Sequence, residues 1–256
     1  MLAIAALVPD TALLVPGAAG RAVVLREVRA AAIDAAGEVV RSLPDRVVVV
    51  APGAADRTIA GPCHVSLAAA GIDDAVLGWV GPERATKDGT PEDGTVPALG
   101  ASVALLLLAH AGWTGPVTVV EVAEDHEHGE TLRARGAGVV VGTDRVALVV
   151  AGSLSARHGA HAPHAEDERA APFDTAMIAD LARGDVPARR RLAAIDAGLA
   201  AELVVTAWAP VQVLLGAVGE APVEAEVLDV SAPYGVPYVV AVWRAVPGPL
   251  PIGGGR

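Results

Sequence analysis

Seven histidines, one cysteine and a short serine-bearing turn are the residues of this chain whose types could do chemistry. His126 and His128 stand in Glu124-Asp-His-Glu-His-Gly-Glu130. His158, His161 and His164 stand in Arg157-His-Gly-Ala-His-Ala-Pro-His-Ala-Glu-Asp-Glu168. Imidazoles mixed with carboxylates suit a divalent transition metal. The spacing matches no closed zinc motif, and a solvated polar loop is the simpler reading. Cys63-His64 pairs a nucleophile type with a base type, but neighbours in sequence rarely aim both side chains at one point, so a buried structural cysteine is expected. The run Val146-Ala-Leu-Val-Val-Ala-Gly-Ser-Leu-Ser155 is more informative. An apolar strand there empties into a Gly-Ser-x-Ser turn, and ligands of open α/β sheets bind at the carboxyl ends of strands. Ser153 and Ser155 are therefore candidate site residues. The turn is not a nucleophile elbow, which requires Gly-x-Ser-x-Gly.

The elements that must position these residues follow from periodicity. Leu2 to Val8 reads as a buried strand, Arg21 to Arg41 as a helix and Arg46 to Ala51 as a strand covered on both faces. Together they form a β-α-β unit with a right-handed crossover. Residues 52 to 96 are rich in Gly, Pro, Asp and Thr, with Lys87 to Gly94 an exposed loop. A helix over Pro97 to Ala111, a strand over Pro116 to Val122, a helical piece over Thr131 to Gly136 and a strand over Val146 to Ala151 come next. Phe173 to Arg183 is helical, with Gly184 after its end. Ala188 to Ala217 is one long helix or two consecutive ones. Val223 to Val230 and Pro237 to Val246 form a strand pair at a sheet edge. The pattern predicts a single α/β domain over residues 1–246, with a mostly parallel or mixed central sheet and helices on both faces, followed by a flexible Pro/Gly-rich tail over 247–256.

Composition narrows the function classes. Apolar residues make up 53% of the 256 residues and aromatics only 3%, so the core must be built from Ala, Val and Leu. The net charge of −11 argues against a nucleic-acid surface, because phosphate binding needs clustered Lys and Arg. One cysteine excludes an internal disulfide and fits a reducing compartment. The longest apolar stretch, Val96 to Ala111, is too short for a bilayer, and Met1 to Val8 lacks the positive start of a signal peptide. A soluble cytoplasmic protein is expected, with a small-molecule ligand, no nucleic-acid or membrane partner, and a homo-oligomer through the aliphatic Val223–Val246 pair.

Several segments, in order along nearly the whole chain, resemble the class III extradiol ring-cleavage dioxygenase superfamily. Val8-Pro-Asp-Thr-Ala-Leu-Leu-Val-Pro16 is similar to the family's Pro-His-Pro-Pro-Leu-Leu-Val-Pro opening. Val47-Val-Val-Val-Ala-Pro-Gly53 is similar to the strand that ends in a histidine. The turn from Gly152 to Ala156 resembles the Ser-Gly-Asp-Leu-Ser-His signature, and is followed by Pro172-Phe-Asp174 and Arg183-Gly-Asp185. Ala201-Glu-Leu-Val-Val-Thr-Ala-Trp208 resembles the Glu-Leu-x-x-x-x-Trp helix, and Ala232-Pro-Tyr-Gly-Val-Pro-Tyr238 resembles the closing Ala-Pro-Tyr-Gly-Val-Gly-Tyr.

In those enzymes two histidines and a glutamate hold Fe(II) and leave room for a catechol and dioxygen. At the matching places this chain has Asp10, Gly53 and Glu202, and Ala156 stands where the acid/base histidine would. Asp10 and Glu202 are thus the candidate metal ligands, a hard set better suited to Mg²⁺, Ca²⁺ or Mn²⁺ than to iron. The resemblance implies a divergent dioxygenase-like protein that has lost the Fe(II) site and ring cleavage and keeps the strand-end cleft for binding. Two alternatives stand beside it. One is an active Fe(II)-dependent oxidoreductase whose site is rebuilt from His64, His158 or His161. The other is a metal-independent small-molecule hydrolase using Ser153, Ser155, Asp10 and Glu202.

Overall fold

In a computed structural model, described here for residues 1–61, 63–79, 95–123 and 128–246, seven strands form one sheet in the order β3-β4-β2-β5-β1-β7-β6. The strands are β1 (Leu2–Val8), β2 (Arg46–Gly53), β3 (Arg57–Ala60), β4 (Val117–Ala123), β5 (Val146–Ala151), β6 (Val223–Ser231) and β7 (Tyr238–Ala245). The helices are α1 (Arg26–Arg41), α2 (Leu99–His110), α3 (Gly129–Val139), α4 (Ala170–Arg183), α5 (Val186–Ala193), α6 (Ala197–Glu202) and α7 (Trp208–Val218). The four central strands, β4-β2-β5-β1, run parallel, while β3, β7 and β6 close the two sides antiparallel. The sheet is therefore mixed, with a parallel core. Strand β6, half of the aliphatic pair, lies at the sheet edge.

The aliphatic runs explain why these segments are strands. Val47, Val49 and Ala51 face one layer, with α1 and α2, while Val48 and Val50 face the other, with α3, α4 and α7. A strand buried on both faces needs no polar alternation. Helix α2 is buried all round from Gly100 to Leu108, which is why it shows no amphipathic stripe. Helices α3 and α7 touch backbone to backbone: a Cβ on Gly136 would lie 1.9 Å from the Val213 carbonyl oxygen.

Several boundaries depart from the sequence expectation. The first helix begins at Arg26 rather than Arg21, because Leu25 takes a left-handed φ of 49° and Ala22 to Leu25 are not helical. Ala188 to Ala217 is neither one helix nor two. It is divided among α5, α6 and α7, with the first two started by aspartate caps: Asp185 accepts from the Ala188 amide at 2.8 Å and Asp196 from the Leu199 amide at 2.8 Å. Strand β3 is an element the Gly/Pro/Asp/Thr composition concealed. The loop Lys87 to Gly94, the tail from 247 and His126 lie outside the described residues. Among the described residues no helix is long and apolar enough to cross a membrane.

Connection geometry places a crevice at the carboxyl edge of the parallel core. The chain leaving β1 and β2 turns to the α1/α2 layer, and the chain leaving β5 turns to the α4 layer. Adjacent strands whose connections depart to opposite faces leave a gap between them, the usual ligand position in such sheets.

Candidate functional site

The crevice is lined by Asp10 from the end of β1, Pro52 and Gly53 from the end of β2, and Ala98, Leu99 and Gly100 from the start of α2. Its volume is about 450 Å³, within the range of about 300–1,000 Å³ usual for small-molecule sites. Gly100 is a glycine because Asp10 lies against it: a Cβ there would come within 2.9 Å of the Asp10 Cβ.

Asp10 is held from β5. The Ser153 hydroxyl donates to Asp10 Oδ1 at 2.5 Å. Ser153 is itself fixed by the turn between α6 and α7, since its amide donates to Thr206 Oγ1 at 2.9 Å and its carbonyl accepts from the Ala207 amide at 3.0 Å. The turn can close this tightly because residue 152 is glycine: a Cβ there would lie 2.4 Å from the Ala207 Cα. Beside it, the Tyr238 hydroxyl is hydrogen-bonded with the Thr11 side chain. Burial pushes the Tyr238 phenol up, and the Asp10 carboxylate pushes it the same way.

Ser155 belongs to a separate, buried cluster. Its hydroxyl donates to Asp174 Oδ2 at 2.5 Å and its amide to Asp174 Oδ1 at 3.0 Å. His158 Nδ1 meets the same Asp174 Oδ2 at 2.9 Å. Asp174 is 1% exposed and Ser155 is fully buried, while the His158 ring reaches the surface. In a hydrolytic triad the histidine bridges the serine and the acid. Here the acid bridges the serine and the histidine. Among the described residues no histidine is hydrogen-bonded to Ser153 or Ser155, and Ser155 has no face open to a substrate. Asp174 thus anchors the turn after β5 and the loop that follows it to helix α4.

The remaining candidates are scattered. Glu202 is exposed at the end of α6, where its carboxylate pairs with Arg169 at 2.7 Å, and it does not line the crevice. The expected pairing of Asp10 with Glu202 in one site is not formed in this geometry: α6 turns the Glu202 side chain outward to the 157–169 loop. His64 and His161 are exposed, and His128 stands exposed just before α3. Cys63 is half-buried rather than buried, and burial followed by the charge of Glu121 pushes its thiol up.

The space at Gly53, the position that the resemblance matches to a histidine ligand, is filled from another strand. A Cβ on Gly53 would stand 3.0 Å from Glu121 Oε2. Glu121 is 1% exposed in the middle of β4. Its carboxylate is saturated by Arg57, which reaches both oxygens, and by the Ala98 amide at 2.6 Å. Among the described residues no group of three or more His, Cys, Asp or Glu side chains is gathered as a metal centre requires. The residues at the three positions that the resemblance matches to ligands therefore do not fit Fe(II): one carboxylate bonded to a serine, one glycine backed by a glutamate paired with an arginine, and one surface ion pair.

Three partners escaped the sequence reading: Asp174, Thr206 and Glu121. Glu121 had a signal, being the one charge in its strand, which must be paired if buried. Asp174 was visible only as part of Pro172-Phe-Asp174, with no role attached.

No family model matches the chain, and no curated protein matches it. Among solved structures it is similar to the crystal structure of an uncharacterized protein, JW3007, from Escherichia coli K12, at 14% identity, covering 95% of this chain and 100% of that one, with a TM-score of 0.50. At that identity the likeness shows the shared α/β fold alone.

Proposed function

We propose that this chain is a divergent member of the class III extradiol dioxygenase superfamily that no longer runs iron chemistry and uses its strand-end cleft to bind a small molecule. The observation that carries the reading is the Asp10–Ser153 pair. The one ligand position that keeps a donor at the cleft holds a carboxylate oriented by a hydroxyl, and the donors that would complete a metal set are absent or engaged elsewhere. A single carboxylate leaves most positions of a transition-metal centre unfilled. It remains a strong anchor for a hydrogen-bond donor on an organic ligand.

The test is elemental analysis after anaerobic reconstitution with Fe(II), alongside oxygen uptake with a catechol panel. The expected result is no stoichiometric iron and no uptake. Stoichiometric iron that Asp10→Ala removes would overturn the reading and restore the dioxygenase one.

A further inference from the structure

A second cavity lies beside the crevice. Across Pro52, which lines both spaces, a cavity of about 240 Å³ opens between α6 and α7. Its walls include Ala200, Ala201, Val204, Trp208 and Ala209, and its one hydroxyl is Thr206. The two spaces share a hydrogen-bonded chain: Thr206 accepts from the Ser153 amide, and the Ser153 hydroxyl donates to Asp10. One space thus presents a carboxylate and the other presents hydrocarbon.

Charge decides the ligand's head. Asp10 Oδ1 is taken by Ser153, and among the described residues no Arg, Lys or His lines either space. An uncompensated carboxylate beside low-dielectric walls attracts a cation and repels an anion. A bare divalent cation is poorly served, since Ca²⁺ takes six to eight oxygens and Mg²⁺ near-octahedral ligation. A protonated amine needs only a few acceptors. The aliphatic lining of the second chamber suits a hydrocarbon body, whose burial contributes roughly in proportion to the area removed from water.

We propose that the two spaces form one site for a small aliphatic amine, its ammonium on the Asp10 carboxylate and its hydrocarbon body in the chamber against Trp208. This rests on the reading of the cleft as a binding site without iron and adds the chemical class of the ligand.

The test uses the full chain and four probes: cyclohexylmethylamine, cyclohexylmethanol, cyclohexanecarboxylate and methylamine. Affinities are read from NMR shift titrations, with Asp10→Asn and Ala201→Leu as variants. Asparagine keeps an acceptor for Ser153, and Ala201 is exposed on α6, so a larger side chain there narrows the chamber without entering the core. Thermal midpoints check that both variants are folded.

Cyclohexylmethylamine should bind best, and Asp10→Asn should weaken it about tenfold or more, the loss of one charge-assisted contact. Ala201→Leu should weaken it by a similar factor and leave methylamine unchanged. Ring protons of the probe should show nuclear Overhauser contacts to the Trp208 indole. An alcohol binding as tightly as the amine would overturn the assignment of an amine while leaving a binding cleft in place. Amine binding that ignores Ala201→Leu and makes no contact with Trp208 would overturn the two-chamber site. No binding by any probe would overturn the proposal outright, and the iron reconstitution would then decide separately whether the reading beneath it also fails.

Discussion

The Glu121 carboxylate fills the space that a side chain at position 53 would need: a Cβ built on Gly53 would stand 3.0 Å from both the Cβ and Oε2 of Glu121. Gly53 does not adopt a left-handed backbone, so its small size answers to that neighbour and not to a turn. The same carboxylate is tied to Arg57 of β3 and to the amide of Ala98 before α2. The small residue at the end of β2 is thus coupled to an ion pair, buried on its Glu121 side and exposed on its Arg57 side, that joins β4, β3 and the start of α2.

That coupling predicts the outcome of restoring bulk. Gly53→Ala should destabilise the fold by about 1–2 kcal/mol, as overpacking does. In a Glu121→Ala background the same substitution should cost about 1 kcal/mol less, because the two side chains contend for one space. Urea unfolding of the four proteins measures the cycle. Equal costs in both backgrounds would show that the two positions do not interact. By the same argument, Asp10→His combined with Gly53→His should not yield stoichiometric Fe(II) binding, since the imidazole at 53 would have to displace Glu121.

The Asp174 cluster predicts a split between stability and chemistry. Asp174→Ala leaves the Ser155 amide and hydroxyl without their acceptor in a buried position and should cost about 3 kcal/mol. Ser155→Ala removes only the hydroxyl contact and should cost about 1 kcal/mol. Both are read from thermal or urea unfolding. Were Ser155 a nucleophile, its alanine variant would keep stability and abolish esterase turnover, which is the reverse pattern.

Tyr238 predicts an alkaline limb. Burial, with the Asp10 charge adding to it, raises its phenol above the ordinary 10.0 in the folded state. Above the unfolded value the unfolded chain gives up the phenolic proton while the folded one keeps it, so the unfolded state binds fewer protons and stability falls as pH rises. The contribution is full below about pH 10 and is lost as pH climbs through the folded value. Tyr238→Phe should flatten this limb in urea midpoints taken between neutral and strongly alkaline pH. An unchanged limb would place the titrating group elsewhere.

Cys63 predicts slow alkylation. Its thiol is raised by burial first and by the Glu121 charge second, with Arg57 opposing. The thiolate is the reacting form, so the rate with iodoacetamide should keep rising past the pH at which a free cysteine levels off. A plateau at the free-thiol value would contradict this.

The parallel core was legible because Val47 to Val50 and Val146 to Val150 announce strands buried on both faces, and a buried strand carries its identity in its own residues. The limits of α5 and α6 were less legible, since the capping aspartates Asp185 and Asp196 read equally as surface charges until the amides they accept from are known. The site divided in the same way. Asp10 and Ser153 each follow an apolar strand, so strand-end logic brought them to one crevice. Glu202 was assigned by position in a motif, and the direction in which a short helix points a side chain depends on the turn after it. Thr206 and Asp174 act through contacts 53 and 19 residues away in sequence, which no local pattern encodes.

That turn after α6 carries the last prediction. Val204 has a φ of +58°, while its amide donates to the Ala201 carbonyl at 3.0 Å and the Val205 amide to the Ala200 carbonyl at 2.9 Å. This is the Schellman arrangement of a helix end, whose left-handed position is normally glycine. A β-branched residue there is strained, at about 1–2 kcal/mol, of which glycine's greater chain entropy returns about 0.5–1 kcal/mol to the unfolded state. Val204→Gly should therefore stabilise the fold by about 0.5–1 kcal/mol. Leu43, at φ +50° after α1 and largely exposed, is the control, and Leu43→Gly should stabilise by a similar amount. The two should part in binding: Val204 lines the apolar chamber and Leu43 lines neither space. Val204→Gly should weaken cyclohexylmethylamine several-fold while Leu43→Gly leaves it unchanged, so stability and affinity move in opposite directions only at the residue whose strain shapes the cavity. Equal affinities in the two variants would make the Val204 strain a matter of folding alone.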